Sequence, residues 1–332
     1  MAIAAARMYI RRTSSQIVIH APAKVNLFLE VLARRADGFH EIETLMVAVS
    51  LFDSLYFTST AEPEIVLTCE WASGLAARSL HIQDADDSRL GDLPAGPGNI
   101  VFRAFERLRE RAGVSAGAKV RLVKRIPAAA GLGGASSDAA AALLAGNAAW
   151  KLGWSRQQLA ELAAELGSDI PFFLGRGGAI CRGRGELIEP TPASRLHLVV
   201  VRPPVGLSTP KVYANCRAAS QPVAVGPLQA ALARGDLSTA GRRMHNGLEQ
   251  PASSLTPWVG KLRDAFSHLD VTGHQMSGSG SSYFGICRHA RQARRLGNRL
   301  RAMRLGTVHA AVTLSGSQAS SSDGSSSGVI QQ

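Results

Sequence analysis

The segment Ile126-Pro127-Ala128-Ala129-Ala130-Gly131-Leu132-Gly133-Gly134-Ala135-Ser136-Ser137-Asp138 holds the richest chemistry in the chain. Gly131, Gly133 and Gly134 let backbone N–H groups converge with no Cβ in the way. An Ala-rich helix follows, and a helix start adds unpaired N–H donors and the positive end of a dipole. Ser136 and Ser137 add hydroxyls. Such a set suits a polyphosphate, although a tight strand-to-helix turn before a packed helix would use the same residues. A Walker A loop is excluded, because Gly131 to Asp138 has no Lys. A dinucleotide fingerprint is disfavoured. Position 136 is Ser where the third Gly belongs, and the acid expected about 20 residues on is missing from Lys151 to Ser155.

Other chemistry-bearing residues lie far from this loop. Lys24 and Asn26 alternate with Val25, Leu27, Leu29 and Val31, so a strand would put both on its polar face. Lys24 there can stabilise developing negative charge, or be a solvated strand lysine. Asp169 follows Gly167-Ser168 and precedes Ile170-Pro171. A carboxylate held there can take a proton from a hydroxyl, or cap a turn before Pro. His40, after Gly38-Phe39, has one donor and one acceptor when neutral and so suits a nucleobase edge. As an isolated residue, a His after Gly-Phe is more often an ordinary loop residue. Met276-Ser277-Gly278-Ser279-Gly280-Ser281-Ser282 is a second Gly/Ser loop.

The elements that must position these groups form an intermixed α+β pattern. Strands are expected at 16–20, 24–32, 44–49, 54–58, 64–70, 118–124, 178–182, 196–202, 283–287 and 308–314. Helices are expected at 99–111, 136–151, 155–166, near 209–219 and 226–234, and in the Arg-rich stretch after 287. Ser155 caps the third of these and Gly167 ends it. The turn at 184–190 and Pro203-Pro204 place a boundary near residue 190. Residues 1–15 read as a flexible extension and 315–332 as a disordered Ser/Gly tail.

Composition narrows the partners. The 332 residues include 37 Lys+Arg against 25 Asp+Glu, a net charge of +12. That excess suggests nucleic acid, a membrane surface or phosphorylated small molecules. Arg288, Arg291, Arg294, Arg295, Arg299, Arg301 and Arg304 form one acid-free stretch, and Arg7, Arg11 and Arg12 lie in the extension. Neither group overlaps the motifs, so the basicity is read as a solvated helix face and a loose terminus. Aromatic residues, 5% of the chain, do not interleave with the basic run as nucleic-acid binding would require. No run of 18 uncharged apolar residues is present. Cys69, Cys181, Cys216 and Cys287 make no CxxC pair and read as thiols in a reducing, cytoplasmic setting. The His spacings match no zinc motif.

Three segments taken together carry a resemblance. Ala21-Pro22-Ala23-Lys24-Val25-Asn26-Leu27, the Pro127–Ser137 loop and the Met276–Ser282 loop stand in the order seen in the galactokinase, homoserine kinase, mevalonate kinase and phosphomevalonate kinase superfamily. Arg35-Ala36-Asp37-Gly38-Phe39-His40 and Gly167-Ser168-Asp169-Ile170-Pro171-Phe172-Phe173 are similar to one branch, the 4-diphosphocytidyl-2-C-methyl-D-erythritol kinases of the non-mevalonate isoprenoid pathway. The likeness spans about residues 17 to 314.

The resemblance implies a two-domain fold with its active site between domains. Residues 16–190 would be the ATP-binding and catalytic domain, and 191–314 the substrate-binding domain. It implies ATP and Mg²⁺ as cofactors, and transfer to the acceptor's 2-hydroxyl. The implied partner is a cytidine diphosphate-linked methylerythritol, with no nucleic acid or membrane, and a monomer or weak homodimer as the acting form. Lys24 and Asp169 match the catalytic pair. Pro127, Gly131, Leu132, Gly133, Gly134, Ser136, Ser137, Asn99 and Lys124 match the nucleotide site. Asn26, His40, Thr209, Gly278 and Ser279 match the acceptor site, with Phe39 and Tyr213 flanking the pyrimidine. The branch commonly has Tyr where Phe39 stands, which keeps stacking and removes a hydroxyl contact.

Overall fold

A computed structural model describes residues 8–13, 15–73 and 93–314. The chain opens with β1 (Tyr9–Arg12), β2 (Ile17–Arg34), β3 (His40–Thr60) and β4 (Ile65–Trp71). It continues through α1 (Ile100–Ala112), β5 (Gly117–Lys124), α2 (Gly134–Ala149), α3 (Arg156–Leu166) and α4 (Ile170–Phe173) to β6 (Gly178–Arg182) and β7 (Leu187–Pro190). The second half holds β8 (His197–Arg202), α5 (Thr209–Ala214), α6 (Gly226–Ala233), α7 (Leu237–Arg243), β9 (His245–Asn246), α8 (Glu249–Leu255) and α9 (Pro257–Ser267). It closes with β10 (Gly273–Met276), β11 (Tyr283–Cys287), α10 (Ala290–Ala302) and β12 (Thr307–Val312).

The first sheet has the order β1-β2-β3-β5-β4, with β6 on β3, β7 on β6 and β9 on β2; the second runs β10-β11-β8-β12. The change of sheet falls between Pro190 and His197. One apolar cluster spans that junction, joining Val25, Leu27 and Phe28 to Leu198, Phe284 and Ile286. The two halves therefore bury surface against each other, and a cleft between them has firm walls.

Several expected elements come out differently. The strands expected at 16–20 and 24–32 are one 18-residue strand, and those at 44–49 and 54–58 are one of 21 residues. Their pairing absorbs register shifts at Pro22/Ala23, Asn26/Phe28 and Val31/Ala33. A bulge adds an unpaired residue and reverses the facing of those after it. Phe28, expected on the polar face with Lys24 and Asn26, is thus fully buried in the core. Part of the expected flexible extension is ordered, because Tyr9–Arg12 pairs with Ile17–His20. Within the expected 184–190 turn, Leu187–Pro190 pairs with β6. The helix expected near 209–219 stops at Ala214. The expected 315–332 tail lies outside the described residues.

Helix ends follow the sequence. Asn99 caps α1, its side chain accepting from Val101 N–H. Ser155 and Gln158 form a reciprocal capping box on α3, which satisfies two first-turn donors. Helix α2 is buried on almost every side, along Ala139–Leu143. Its alanines allow close approach to β2 and α1.

Candidate active site

The Gly loop and the second Gly/Ser loop meet face to face. Ser277 Oγ donates to Gly131 O at 2.9 Å, and Ser282 N–H donates to Ala130 O at 3.1 Å. Gly131 and Gly133 have φ of 72° and 68°, a region that L residues with a Cβ rarely enter. A Cβ on Gly131 would also run into the Ser277 carbonyl, and one on Gly133 would stand 2.9 Å from both Lys24 Cγ and Phe173 Cζ. The loop therefore has backbone, not side chains, at its tightest points. Helix α2 begins directly behind it and aims its first N–H groups at the cleft.

Lys24 emerges beneath this loop. Its ammonium donates to Asn26 Oδ1 at 2.7 Å and lies 3.6 Å from Asp169 Oδ2. Asn26 donates onward to Thr44 Oγ1 at 2.8 Å, and Thr44 donates to the Phe28 carbonyl at 2.6 Å. Lys24 and Asn26 are 4% and 2% exposed, so they form the floor of a cleft, not the solvated face that alternation suggested. Asp169 stands at the start of α4 with its side chain 37% exposed, which leaves the carboxylate open to a ligand.

Lys124 and Asn99, expected at the nucleotide, both line the cleft that the Gly loop borders. Asn99 lines the cleft, but its side chain is engaged by Val101 N–H and by the Pro94 carbonyl. Lys124 donates to Asp53 and Asp138, and all three side chains are buried. Burial works against the Lys124 charge, and Asp138 and Asp53 overcome it and hold the ammonium charged. Burial pushes the Asp138 carboxyl well above the usual range, against the pull of Lys124. Asp53 also accepts from Arg125 and Ile126 N–H. The cluster thus ties the end of β5, where the Gly loop begins, to the first turn of α2.

Ser136 lines the cleft, but Ser137 does not. Its hydroxyl is fully buried without a hydrogen-bond partner, and its N–H is committed to Gly133 O. One step of 100° around α2 separates the two serines and turns Ser137 inward. The structure leaves Ser136 as the loop's cleft-facing hydroxyl.

At the other end His40 and Tyr213 are in ring contact, centroids 5.1 Å apart. Tyr213 packs on His40, while Phe39 is 51% exposed and carries the Arg184 guanidinium 4.9 Å over its ring. Burial, with Arg34 nearby, lowers the His40 pKa, so the ring is neutral near pH 7. Thr209 and Ser279 hydroxyls are bonded to each other at 2.7 Å, and Gly278 lies beside Lys24 Nζ and Asn26 Oδ1. Residues expected to hold the acceptor thus come from both halves of the chain.

All the site residues expected from the sequence, Ser137 excepted, line one continuous cleft of about 1040 Å³. Sequence reasoning missed Arg34, Arg103, Arg184, Cys69 and Asp138 on its walls. Gly183-Arg184-Gly185 carried a turn signal, and Asp138 adjoined the loop; the others gave no local sign. Burial pushes the Cys69 thiol up to about 11, which makes it a neutral wall group.

Comparison with known proteins agrees with this geometry. The family profile for the GHMP kinases N terminal domain matches residues 99–177, and that for GHMP kinases C terminal matches 228–304. The chain is 40% identical over 284 residues to the 4-diphosphocytidyl-2-C-methyl-D-erythritol kinase of Pelotomaculum thermopropionicum, covering 85% of this chain and 92% of that one. A crystal structure of 4-(cytidine 5'-diphospho)-2C-methyl-D-erythritol kinase superposes with a TM-score of 0.72 at 36% identity, covering 90% of this chain and 100% of that one. Homoserine kinase from Cytophaga hutchinsonii shares the fold, with a TM-score of 0.66 at 21% identity and coverage of 93% and 99%. With the relative from Pelotomaculum alike over nearly its whole length, this chain belongs to the 4-diphosphocytidyl-2-C-methyl-D-erythritol kinase family of the GHMP kinases.

Proposed function

We propose that the protein transfers the γ-phosphoryl group of ATP to the 2-hydroxyl of 4-diphosphocytidyl-2-C-methyl-D-erythritol, giving the 2-phosphate and ADP. One observation carries this reading. The Gly131–Gly134 loop, the Lys24–Asp169 pair and the His40–Tyr213 pair all line a single cleft, with the Lys24 stem against Gly133 and its ammonium at Asp169. A nucleotide triphosphate at one end and a nucleobase-bearing alcohol at the other would meet at Lys24 and Asp169.

Phosphoryl transfer asks the protein mainly for positioning and charge neutralisation. Asp169 receives the proton of the 2-hydroxyl. The hydroxyl oxygen forms its bond to the γ-phosphorus as the bond to the β–γ bridging oxygen breaks, and ADP leaves. Lys24, fixed by Asn26, stabilises the charge growing on the transferred group. The loop N–H groups and the first turn of α2 cradle the phosphates left behind.

Mg²⁺ belongs to this reading through the donor chemistry of the cleft. Ser136 and Asp169 offer hard oxygen donors, while no group of three or more His, Cys, Asp or Glu suited to a metal occurs among the described residues. That set fits an ion held mostly by phosphate oxygens and water. Bound there, Mg²⁺ would supply Lewis-acid neutralisation of the phosphate charge. No helix among the described residues is long and apolar enough to cross a membrane. The reading includes a cytoplasmic setting and a monomer or weak homodimer.

The test is ADP release by purified protein given ATP, Mg²⁺ and one acceptor at a time. The cytidine diphosphate-linked acceptor should support turnover, with homoserine, mevalonate and galactose inert. Turnover on one of those three in preference to it would replace this reading.

A further inference from the structure

We propose that Arg184 binds the diphosphate of the acceptor, joining the pyrimidine end of the cleft to the end where phosphorylation occurs. This rests on the acceptor named above. In that acceptor the diphosphate connects the cytidine to the methylerythritol, so it must lie between the groups that hold the base and those that handle the hydroxyl. Arg184 spans the same interval. It sits in the turn between β6 and β7, where a Cβ on the neighbouring Gly185 would stand 3.5 Å from Asp169 Oδ1. From that backbone the side chain reaches across to Phe39, with its guanidinium 4.9 Å above the ring. The residue thus starts beside Asp169 and ends beside the base-binding rings, and it lines the cleft between.

Its protein partners leave the guanidinium fork available. Glu186 approaches Arg184 Nε at 3.6 Å, beyond a hydrogen bond. The Glu186 carboxylate is instead taken by the Arg184 backbone N–H at 2.7 Å. Asp37 feels the Arg184 charge but accepts its hydrogen bonds from Arg35 and from Phe39 N–H. A planar guanidinium can donate two parallel bonds to a phosphate while its face stays on an aromatic ring. Arg184 can therefore hold the diphosphate and brace Phe39 at once. The Lys24 ammonium is committed to Asn26 and Asp169, so the acceptor's own phosphates need another cation.

Competitive inhibition by cytidine, cytidine monophosphate and cytidine diphosphate tests this in the wild type, Arg184→Met and Arg184→Lys. In the wild type the diphosphate should bind more tightly than cytidine. Arg184→Met keeps the length and the contact with Phe39 but removes the charge. It should weaken the diphosphate about 10- to 100-fold, change cytidine less than about 3-fold and leave the ATP KM in place. Arg184→Lys should recover part of the loss. Equal weakening of cytidine and its diphosphate would mean that Arg184 only braces Phe39, and no weakening of either would mean that it faces solvent; each overturns the inference while the acceptor reading stands. A wild type that binds none of the three ligands overturns both.

Discussion

Lys24 Nζ lies 3.6 Å from Asp169 Oδ2 while its stem passes beneath Gly133 of the phosphate loop. One side chain thereby touches the carboxylate proposed to accept the proton and the loop proposed to cradle the phosphates. The link separates the effects of two substitutions. Asp169→Asn keeps the shape and loses proton affinity, so turnover should fall by ~100-fold or more, with both KM values near wild type. Lys24→Met should lower turnover to a similar degree and raise the ATP KM as well. Steady-state kinetics against each substrate reads both outcomes, and near-wild-type turnover of Asp169→Asn would remove the base from the mechanism.

The loop is equally exposed to test. Gly133→Ala must place a methyl against Lys24 Cγ and Phe173 Cζ and hold a positive φ. Either the loop moves or Lys24 does. The expected result is an ATP KM raised at least ~10-fold together with reduced turnover, and destabilisation of about 1–2 kcal/mol. An unchanged ATP KM would show that the loop does not cradle the nucleotide.

How much of this was legible in the chain depends on how local each signal was. The turns of the Gly loop and the helix ends at Ser155 and Gly167 form where the sequence places them, because caps and glycine turns depend on neighbours a few residues away. Alternation correctly put Lys24 and Asn26 together, since both precede the bulge at Asn26/Phe28. It failed at Phe28 because a bulge is set by pairing with β3, which no window along one strand contains. Ser137 failed for another reason: two adjacent hydroxyls look alike in sequence, and helix phase separates them. Lys124 was placed near the nucleotide, but Asp53 and Asp138, which fix it, come from β3 and α2. Arg184 is brought to Asp169 by a hairpin that the sequence presented as a turn.

His40 gives a pH test. Burial, and secondly Arg34, lower its pKa in the folded protein. A lowered value means the neutral ring persists down through the ordinary histidine range near 6.5, and the proton is taken up only below it. Acceptor KM should therefore stay flat from pH 8 to about 6.5 and rise at more acidic values, while an unperturbed histidine would show the rise earlier. His40→Ala should raise the acceptor KM far more than the ATP KM and abolish that acid limb. Equal effects on the two KM values would place His40 outside the base-binding end.

The Asp53–Lys124–Asp138 cluster separates two acids that look equivalent. Asp53 accepts from Lys124 and from Arg125 and Ile126 N–H, so Asp53→Ala strands two backbone donors, leaves Lys124 with Asp138 alone, and should cost about 3–5 kcal/mol. Asp138 carries a carboxyl pushed well above its usual range, chiefly by burial. Asp138→Asn removes the ionisable proton and keeps an oxygen acceptor for Lys124, so it should cost less than Asp53→Ala. The pH dependence has a definite sign. A carboxyl whose folded pKa is raised contributes stability that is fully present below its unfolded value and is lost as pH rises through the folded value. Asparagine has no such proton, so Asp138→Asn should flatten the decline in stability across that window. Denaturant unfolding of both variants over a pH series measures the costs and the slopes together. Equal costs for the two substitutions would mean that both acids serve Lys124 alike.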